Sequence, residues 1–217
     1  MSTTHTIPQA PITKSFIAQF LPVNPLILEA GAHIGRDTVK MSKLWPEGTI
    51  YAFEPVPELF KQLVENTKTY KNIFCFPSAL SDKVGEAALY VSSGASTAAS
   101  SLLEPYEYTK KRPEVQFTPI QVPTTTLDTW AQEQQVDHID FMWLDMQGHE
   151  LTVLEAAPRI FRTVKALLIE VSLTERFKKN PLYDEVRSWV ENQGFNAIQE
   201  DIPKHDKINI FFVRTVS

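Results

Sequence analysis

The sequence has a single cysteine, Cys75, among its 217 residues. One cysteine excludes an intrachain disulfide and a metal site built from several cysteines. Positive charge is not in excess either, because the formal net charge at pH 7 is −5, and this gives no electrostatic reason to expect a nucleic-acid partner. The chain also lacks an apolar run of membrane-spanning length, and residues 1–11 lack the apolar core of a signal peptide. We therefore expect a cytoplasmic protein with no membrane partner.

The composition is that of a folded globular protein. Hydrophobic residues make up 43% of the chain and charged residues 22%, as in ordinary soluble domains. A chain of this length buries roughly 70% of its unfolded surface in one domain. We interpret residues 1–25 as an N-terminal extension with a short helix and residues 26–217 as a single domain.

The domain is organised around residues 26–35, LILEAGAHIG. The apolar run at 26–28 has no helical spacing and predicts a buried strand, which a glycine turn connects to a helix at 36–45. Such a turn exposes backbone N–H groups and the positive end of a helix dipole. It is therefore a suitable site for the polar part of a nucleotide-like ligand.

Further strands alternate with helices along the chain. We predict strands at 49–53, 72–76, 139–144 and 164–171, helices at 57–70, 125–135 and 150–157, and a hairpin of 195–198 with 208–213. This alternation predicts an α/β fold with a mostly parallel sheet, right-handed crossovers, helices on both faces and a C-terminal antiparallel hairpin.

Capping patterns predict where two of the helices begin. Thr125 followed by Asp128 is a weaker version of a capping box, and Asp128 is interpreted as a structural capping residue. Asn180 followed by Pro181 is typical of an N-cap before the first helical turn.

Residues 85–122 interrupt the alternation and predict an inserted hairpin with a loop. Within it, the Ser/Ala/Gly-rich tract at 92–101 has low complexity and is expected to be mobile. The insertion either covers a cleft or is a flexible surface loop, and the sequence leaves both alternatives open.

Acidic residues stand at most of the predicted strand ends. In an open α/β sheet, ligands bind beyond the carboxyl ends of the strands. The residues there are Glu29, Glu54, Ser78-Ala79, Asp145 and Glu170. Carboxylates repel phosphate but suit amines, cations and sugar hydroxyls.

The glycine turn distinguishes between two nucleotide-like ligands. His33 stands where a dinucleotide-binding turn has the glycine that lets the backbone approach a pyrophosphate. S-adenosylmethionine has no phosphate, and its amino group suits Glu29 while its carboxylate suits the helix N-terminus near Gly35. Glu54, about 20 residues past the turn, is placed to accept hydrogen bonds from a ribose diol.

Five motifs occur in the order expected of FkbM-type methyltransferases, and the chain resembles that family over roughly residues 26–172. They are 29–35 (EAGAHIG), 52–55 (AFEP), 78–82 (SALSD), 126–128 (TLD) and 144–150 (LDMQGHE). The resemblance implies a class I, Rossmann-like methyltransferase fold that uses S-adenosyl-L-methionine. It also implies O-methylation of hydroxyls on sugars or polyketide-like natural products.

The resemblance also implies site residues. The turn at 29–35, with Gly31, Ala32, His33 and Gly35, would hold the methionine end, and Glu54 would hold the ribose. Ser78 and Ala79 would border the adenine, and Asp145 would stand beside the methyl group. The chain departs from the family pattern at His33, usually Asn, at Gln147, usually an acid, and at Trp143, often Lys or Arg.

A hydroxyl acceptor must lose a proton during methyl transfer, so a base is expected near the methyl group. Asp145, His149 and Glu150 cluster around one turn at a strand end and are the candidates. His149 is preferred because imidazole titrates near neutral pH. His149 and Glu150 also fit an ordinary helix start, and the three residues could together bind a divalent ion, although no further ligand completes a set; no metal is predicted.

The leading hypothesis is an S-adenosylmethionine-dependent O-methyltransferase acting on a small hydroxylated molecule. Two alternatives remain open: a methyltransferase-like binding domain without catalysis, and a nicotinamide-dependent oxidoreductase. The sequence does not predict an oligomeric state.

Overall fold

The computed structural model describes residues 7–215. The strands are β1 (Leu26–Ala30), β2 (Thr49–Phe53), β3 (Ile73–Phe76), β4 (Ala79–Leu80), β5 (Gly85–Gly94), β6 (Val115–Thr125), β7 (Phe141–Leu144), β8 (Ala166–Ser172), β9 (Phe195–Glu200) and β10 (Lys207–Arg214). The helices are α1 (Lys14–Ile17), α2 (Arg36–Leu44), α3 (Pro57–Thr67), α4 (Glu107–Lys111), α5 (Leu127–Glu133), α6 (Glu150–Glu155), α7 (Pro158–Phe161) and α8 (Tyr183–Asn192), with a 3₁₀ turn at Ala18–Phe20. The ends of the predicted ranges, at 1–6 and 216–217, lie outside the described residues.

The main sheet has seven strands in the order β3-β2-β1-β7-β8-β10-β9. The first five in that order are parallel, and β10 pairs antiparallel with both β8 and β9. This is the mostly parallel α/β sheet with a C-terminal antiparallel hairpin that the sequence predicts. The chain leaves β1 toward β2 on one side and reaches β7 on the other, and the strand order therefore reverses beside β1, which opens a crevice there.

Helices cover both faces of the sheet because alternate strand residues are apolar on each side. Ile27 of β1 packs in a cluster with Met41 of α2, whereas Leu28 packs in another with Trp130 of α5 and Val186 of α8. Strands buried on both faces are typical of parallel sheets.

The N-terminal segment packs against the C-terminal hairpin. Thr13 caps α1 by accepting a hydrogen bond from Phe16 N–H. The rings of Phe16 and Phe20 lie 5.7 and 5.3 Å from the ring of Phe211 in β10. The Gln199 amide of β9 donates to the carbonyls of residues 10 and 11. The segment is therefore part of the folded unit.

The insertion forms a second sheet in which β6 lies between β4 and β5. The tract at 92–101 begins inside β5, and its later residues hydrogen-bond back to that strand, while its expected mobility stays a prediction. Ala99 N–H donates to the Ser92 hydroxyl at 2.9 Å, and the backbones of Tyr90 and Ser101 exchange two hydrogen bonds. The three short elements β4, α4 and α7 were not predicted.

Two predicted helix starts were wrong. Thr126, and not Thr125, caps α5 by accepting from Thr129 N–H at 3.1 Å. Helix α8 begins at Tyr183, because the Asn180 side chain accepts from Phe177 N–H in the preceding turn. Among residues 7–215, no helix is both long and apolar enough to cross a membrane.

Asp128 caps a different helix from the predicted one. Its carboxylate accepts from the backbone N–H groups of Arg159 at 3.0 Å and Ile160 at 2.8 Å, at the start of α7. The Asp128→Ala variant leaves these donors unpaired, and we expect it to lower the free energy of unfolding by about 1–2 kcal/mol. Urea denaturation measures this loss. Asp137→Ala, at an exposed position, is the matched control, and equal stability of the two variants would contradict the capping role.

Candidate active site

A cavity of about 310 Å³ opens at the crevice beside β1, within the range of roughly 300–1,000 Å³ that is typical of small-molecule sites. Its lining includes most of the residues that were predicted to bind a cofactor. They are Glu29, Gly31, Ala32, His33, Glu54, Ser78, Ala79 and Asp145. Of the predicted set, Gly35 and Glu150 do not line it.

The glycine turn ties three strand ends together. A Cβ on Gly31 would lie 2.1 Å from the Asp145 carbonyl oxygen, and Gly31 has a φ of +88°. The backbone N–H groups of Gly31 and Ala32 both donate to the Phe53 carbonyl. The turn thus contacts β2 and β7 at once, and only glycine fits at position 31.

Gly35 has a packing role, which differs from the predicted cofactor contact. It precedes α2 with a φ of +82°, and a Cβ there would lie 2.8 Å from a methyl carbon of Leu63 in α3. The residue therefore allows α2 and α3 to approach each other behind the cavity.

Glu29 and Glu54 are buried acids in the cavity wall. The Thr38 hydroxyl donates to Glu29, and burial raises the pKa of Glu29 to about 8. The Glu54 carboxylate accepts from His33 N–H at 2.8 Å and Val56 N–H at 2.9 Å, and burial raises its pKa to about 7. Neither side chain has a cation within ion-pair distance among the described residues.

One end of the cavity is apolar. Ala79 and Leu89 belong to one buried cluster with Leu59 and Leu102, and all four line the cavity. A flat aromatic group fits such walls.

The insertion covers the cavity, which decides between the two alternatives left open for it. Thr97, Ser100 and Leu102 line the cavity from this side. The Thr97 hydroxyl lies 3.0 Å from His33 Nε2, so that a hydrogen bond joins the insertion to the glycine turn.

A network of polar side chains lies where β7 and β8 end. Gln147 contacts the carboxylates of Asp145 and Glu170, and Arg176 contacts Gln147. Lys207 of β10 forms an ion pair with Glu170. Arg176, Lys207 and the bridging role of Gln147 were not predicted, because their contacts join residues that lie far apart in sequence.

His149 lies at the apolar end and not in this network. Its Nε2 is 3.2 Å from the Ser81 hydroxyl, and Ser81 directly follows the strand β4, which lines the cavity. Burial lowers the pKa of His149. Its Nδ1 is buried, and no described residue hydrogen-bonds to it.

Glu150 holds the loop before α6. Its carboxylate accepts from Met146 N–H at 2.7 Å and Gly148 N–H at 2.9 Å, and burial raises its pKa to about 8. Because it does not face the cavity, the geometry gives it a structural role where a catalytic one was predicted. Within residues 7–215, no three His, Cys, Asp or Glu side chains are grouped closely enough to hold a metal ion.

The N-terminal segment places a cation beside this region. The Lys14 ammonium lies 4.3 Å from the ring centre of Trp143 and 2.7 Å from the Asp37 carboxylate. Trp143 and Asp37 both line the cavity. Lys14 of α1 therefore contacts two residues of the cavity wall from outside the cavity.

Comparison with known proteins identifies the family. Residues 29–197 match the model of the methyltransferase FkbM domain. The chain belongs to the FkbM methyltransferase family. The methyl donor of the family is S-adenosylmethionine.

Two relatives and two solved structures are similar to this FkbM chain. It is 28% identical over 161 residues to the 2-O-methyltransferase NoeI of Sinorhizobium fredii, which covers 71% of this chain and 66% of NoeI. It is 23% identical over 205 residues to the methyltransferase sdnD of Sordaria araneosa, and this match covers 83% of this chain and 77% of sdnD. This chain thus spans less than two thirds of the length of NoeI.

The solved structures share the class I methyltransferase fold at low sequence identity. An FkbM methyltransferase from Methylobacillus flagellatus KT superimposes with a TM-score of 0.56 at 12% identity, covering 91% of this chain and 46% of its own. An Aeropyrum pernix fibrillarin with natively bound S-adenosyl-L-methionine superimposes with a TM-score of 0.51 at 17% identity. The match covers 89% of this chain and 69% of the fibrillarin chain.

The cavity of this FkbM chain fits S-adenosylmethionine chemically. Its buried carboxylates suit the amino group and the ribose hydroxyls, and its apolar end suits the adenine. Arg36, at the start of α2, is the only arginine or lysine among the lining residues in the described chain.

The raised pKa of Glu29 makes stability depend on pH. The folded protein holds the proton of the Glu29 carboxyl more tightly than the unfolded chain does. The contribution of this proton to the free energy of unfolding is therefore fully present below pH 4.5 and is lost as the pH rises to about 8. We expect the melting temperature of the ligand-free protein to fall between pH 5 and pH 8.5. The Glu29→Gln variant should show a shallower fall, by about one proton.

Thermal melts across this pH range measure the effect. Glu58→Gln, at an exposed position in α3, is the matched control. A Glu29→Gln protein with the full pH dependence of the wild type would contradict the assignment.

Proposed function

We propose that this chain transfers a methyl group from S-adenosylmethionine to a hydroxyl of a small molecule. The observation that carries the proposal is the set of carboxylates at neighbouring strand ends of one covered cavity: Glu54 directly after β2, Glu29 on β1, Asp145 after β7 and Glu170 on β8. The similarity to NoeI, whose name is 2-O-methyltransferase, supports a hydroxyl acceptor. Neither nucleic acid nor membrane is part of the proposal.

The strand order gives each carboxylate a role in holding the cofactor. Glu54 accepts hydrogen bonds from the ribose hydroxyls, and Ser78 and Ala79 border the adenine. Glu29 faces the amino group of the methionine part, and Gly31, Ala32 and His33 form the turn beneath it. Arg36, at the positive end of α2, attracts the carboxylate of the methionine part.

Bound S-adenosylmethionine supplies an electrophilic methyl group on a sulfonium, and the protein holds the acceptor in line with it. Asp145 is the residue that we assign as base. It lines the cavity, and it stands at the end of the strand beside the glycine turn. His149 is assigned to the adenine end because Ser81 fixes it there, although the sequence favoured it as base.

Cofactor binding tests the first part of the proposal. Glu54→Ala removes the acceptor of the ribose hydroxyls and should weaken S-adenosylhomocysteine binding by about 1–3 kcal/mol in calorimetric titrations. Glu58→Ala, at an exposed position in the first turn of α3, is the control. NAD titrated in parallel should give no heat of binding, and tight binding of NAD without S-adenosylhomocysteine would overturn the proposal in favour of an oxidoreductase.

Methyl transfer tests the assignment of the base. With an acceptor found by screening sugars and glycosides for release of S-adenosylhomocysteine, Asp145→Asn should lower kcat by about 10²–10⁴-fold. His149→Gln should raise the KM for S-adenosylmethionine and leave kcat within a few-fold. Loss of kcat in the His149 variant, with full activity in the Asp145 variant, would show that His149 and not Asp145 is the base.

A further inference from the structure

Gln147 lies between two carboxylates of the cavity. Its Nε2 donates to Asp145 Oδ1 at 2.5 Å and to Glu170 Oε1 at 2.8 Å. Its Oε1 accepts from the Arg176 guanidinium at 3.2 Å. The side chain is only 3% exposed, so these contacts are made away from bulk water.

The chemistry of the partners fixes the orientation of this amide. An ionised carboxylate can only accept hydrogen bonds and a guanidinium can only donate them. The NH₂ group of Gln147 must therefore face the two acids, and its oxygen must face Arg176. No other uncharged side chain of this length offers two donors and an acceptor in this arrangement.

The backbone at this position is strained in a way that the side chain explains. Gln147 has a φ of +55°, a left-handed conformation that glycine and asparagine adopt more readily. A non-glycine residue persists there only where its surroundings over-determine the conformation. At Gln147, the three hydrogen bonds of the side-chain amide fix the residue in this conformation.

The network leaves one oxygen of Asp145 available. Asp145 Oδ1 is held by Gln147, whereas Oδ2 receives no hydrogen bond from any described residue, and Asp145 lines the cavity. The charge of Glu170 is balanced by Lys207 and by Arg176, whose Nη1 lies 3.9 Å from it. The only hydrogen bond that the Asp145 side chain accepts from a described residue comes from the neutral amide of Gln147.

We propose that Gln147 is a positioning residue, which holds the Asp145 carboxylate with Oδ2 turned toward the positive sulfonium and the acceptor hydroxyl. The inference rests on the proposed function, because it assumes that S-adenosylmethionine occupies this cavity. It predicts that Gln147 governs how strongly the site prefers a cation at the position of the sulfonium.

Two ligands that differ in this charge provide the test. S-adenosylhomocysteine is neutral at sulfur, whereas sinefungin carries a charged amine in place of the methylated sulfur. Calorimetric titrations give the ratio of their dissociation constants for the wild type and for Gln147→Met, which is close in size but has no amide. We expect this variant to reduce the preference for sinefungin by about tenfold, the change for one lost charge-assisted contact. Its affinity for S-adenosylhomocysteine should stay within about threefold.

A second variant separates the side chain from the backbone. Gln147→Asn eases the left-handed conformation but is one methylene too short to reach both carboxylates. It should fold at least as well as Gln147→Met and lose the same preference. Gln132→Met, at an exposed position in α5, is the matched control and should keep the wild-type ratio.

The possible outcomes are distinguishable. An unchanged ratio in both folded variants, or an equal loss of affinity for both ligands, would overturn the positioning role and leave the proposed function intact. A wild-type protein that binds neither ligand would overturn the proposed function, and the inference would fail with it.

Discussion

The contact between the glycine turn and the end of β7 is the constraint on which the site depends. A Cβ on Gly31 would lie 2.1 Å from the Asp145 carbonyl oxygen, so the two strand ends approach as closely as backbone allows. The same turn donates to the Phe53 carbonyl of β2. Three carboxylates from separate parts of the chain, Glu29, Glu54 and Asp145, therefore meet around one cavity, and a side chain at position 31 would separate them.

Burial of so much acid at one edge is costly unless a ligand or a protein donor offsets it. Burial raises the pKa values of Glu29, Glu54 and Glu170, but of these three only Glu170 has cations, Lys207 and Arg176, within ion-pair distance. The acids without a cation are those that we assign to the cofactor, whose amino group and hydroxyls would satisfy them. Burying acids without a protein cation lowers the stability of the free protein, a cost that is common at functional sites.

Local patterns in the sequence were sufficient to predict the central elements. The apolar run before Gly31 and the proline at the start of α3 predicted β1, α2 and α3, because burial and capping act over a few residues. The predicted strands gave the positions of the strand ends, and the residues at these ends make up most of the predicted lining of the cavity. Patterns failed where the chain offered two similar residues, as with Thr125 and Thr126, or where a side chain bonded to a distant element, as with Asp128. Arg176 and Gln147 are 29 residues apart, and no local signal predicts their contact.

The central claim is that the nucleoside lies over the crevice between β1, β2 and β7. A crystal structure of the chain with S-adenosylhomocysteine tests this most directly. We predict the ribose hydroxyls on the Glu54 carboxylate, the amino group facing Glu29 and the sulfur toward Asp145, beneath the insertion that carries Thr97. A nucleoside bound outside this cavity, or a ribose that leaves Glu54 uncontacted, would contradict it.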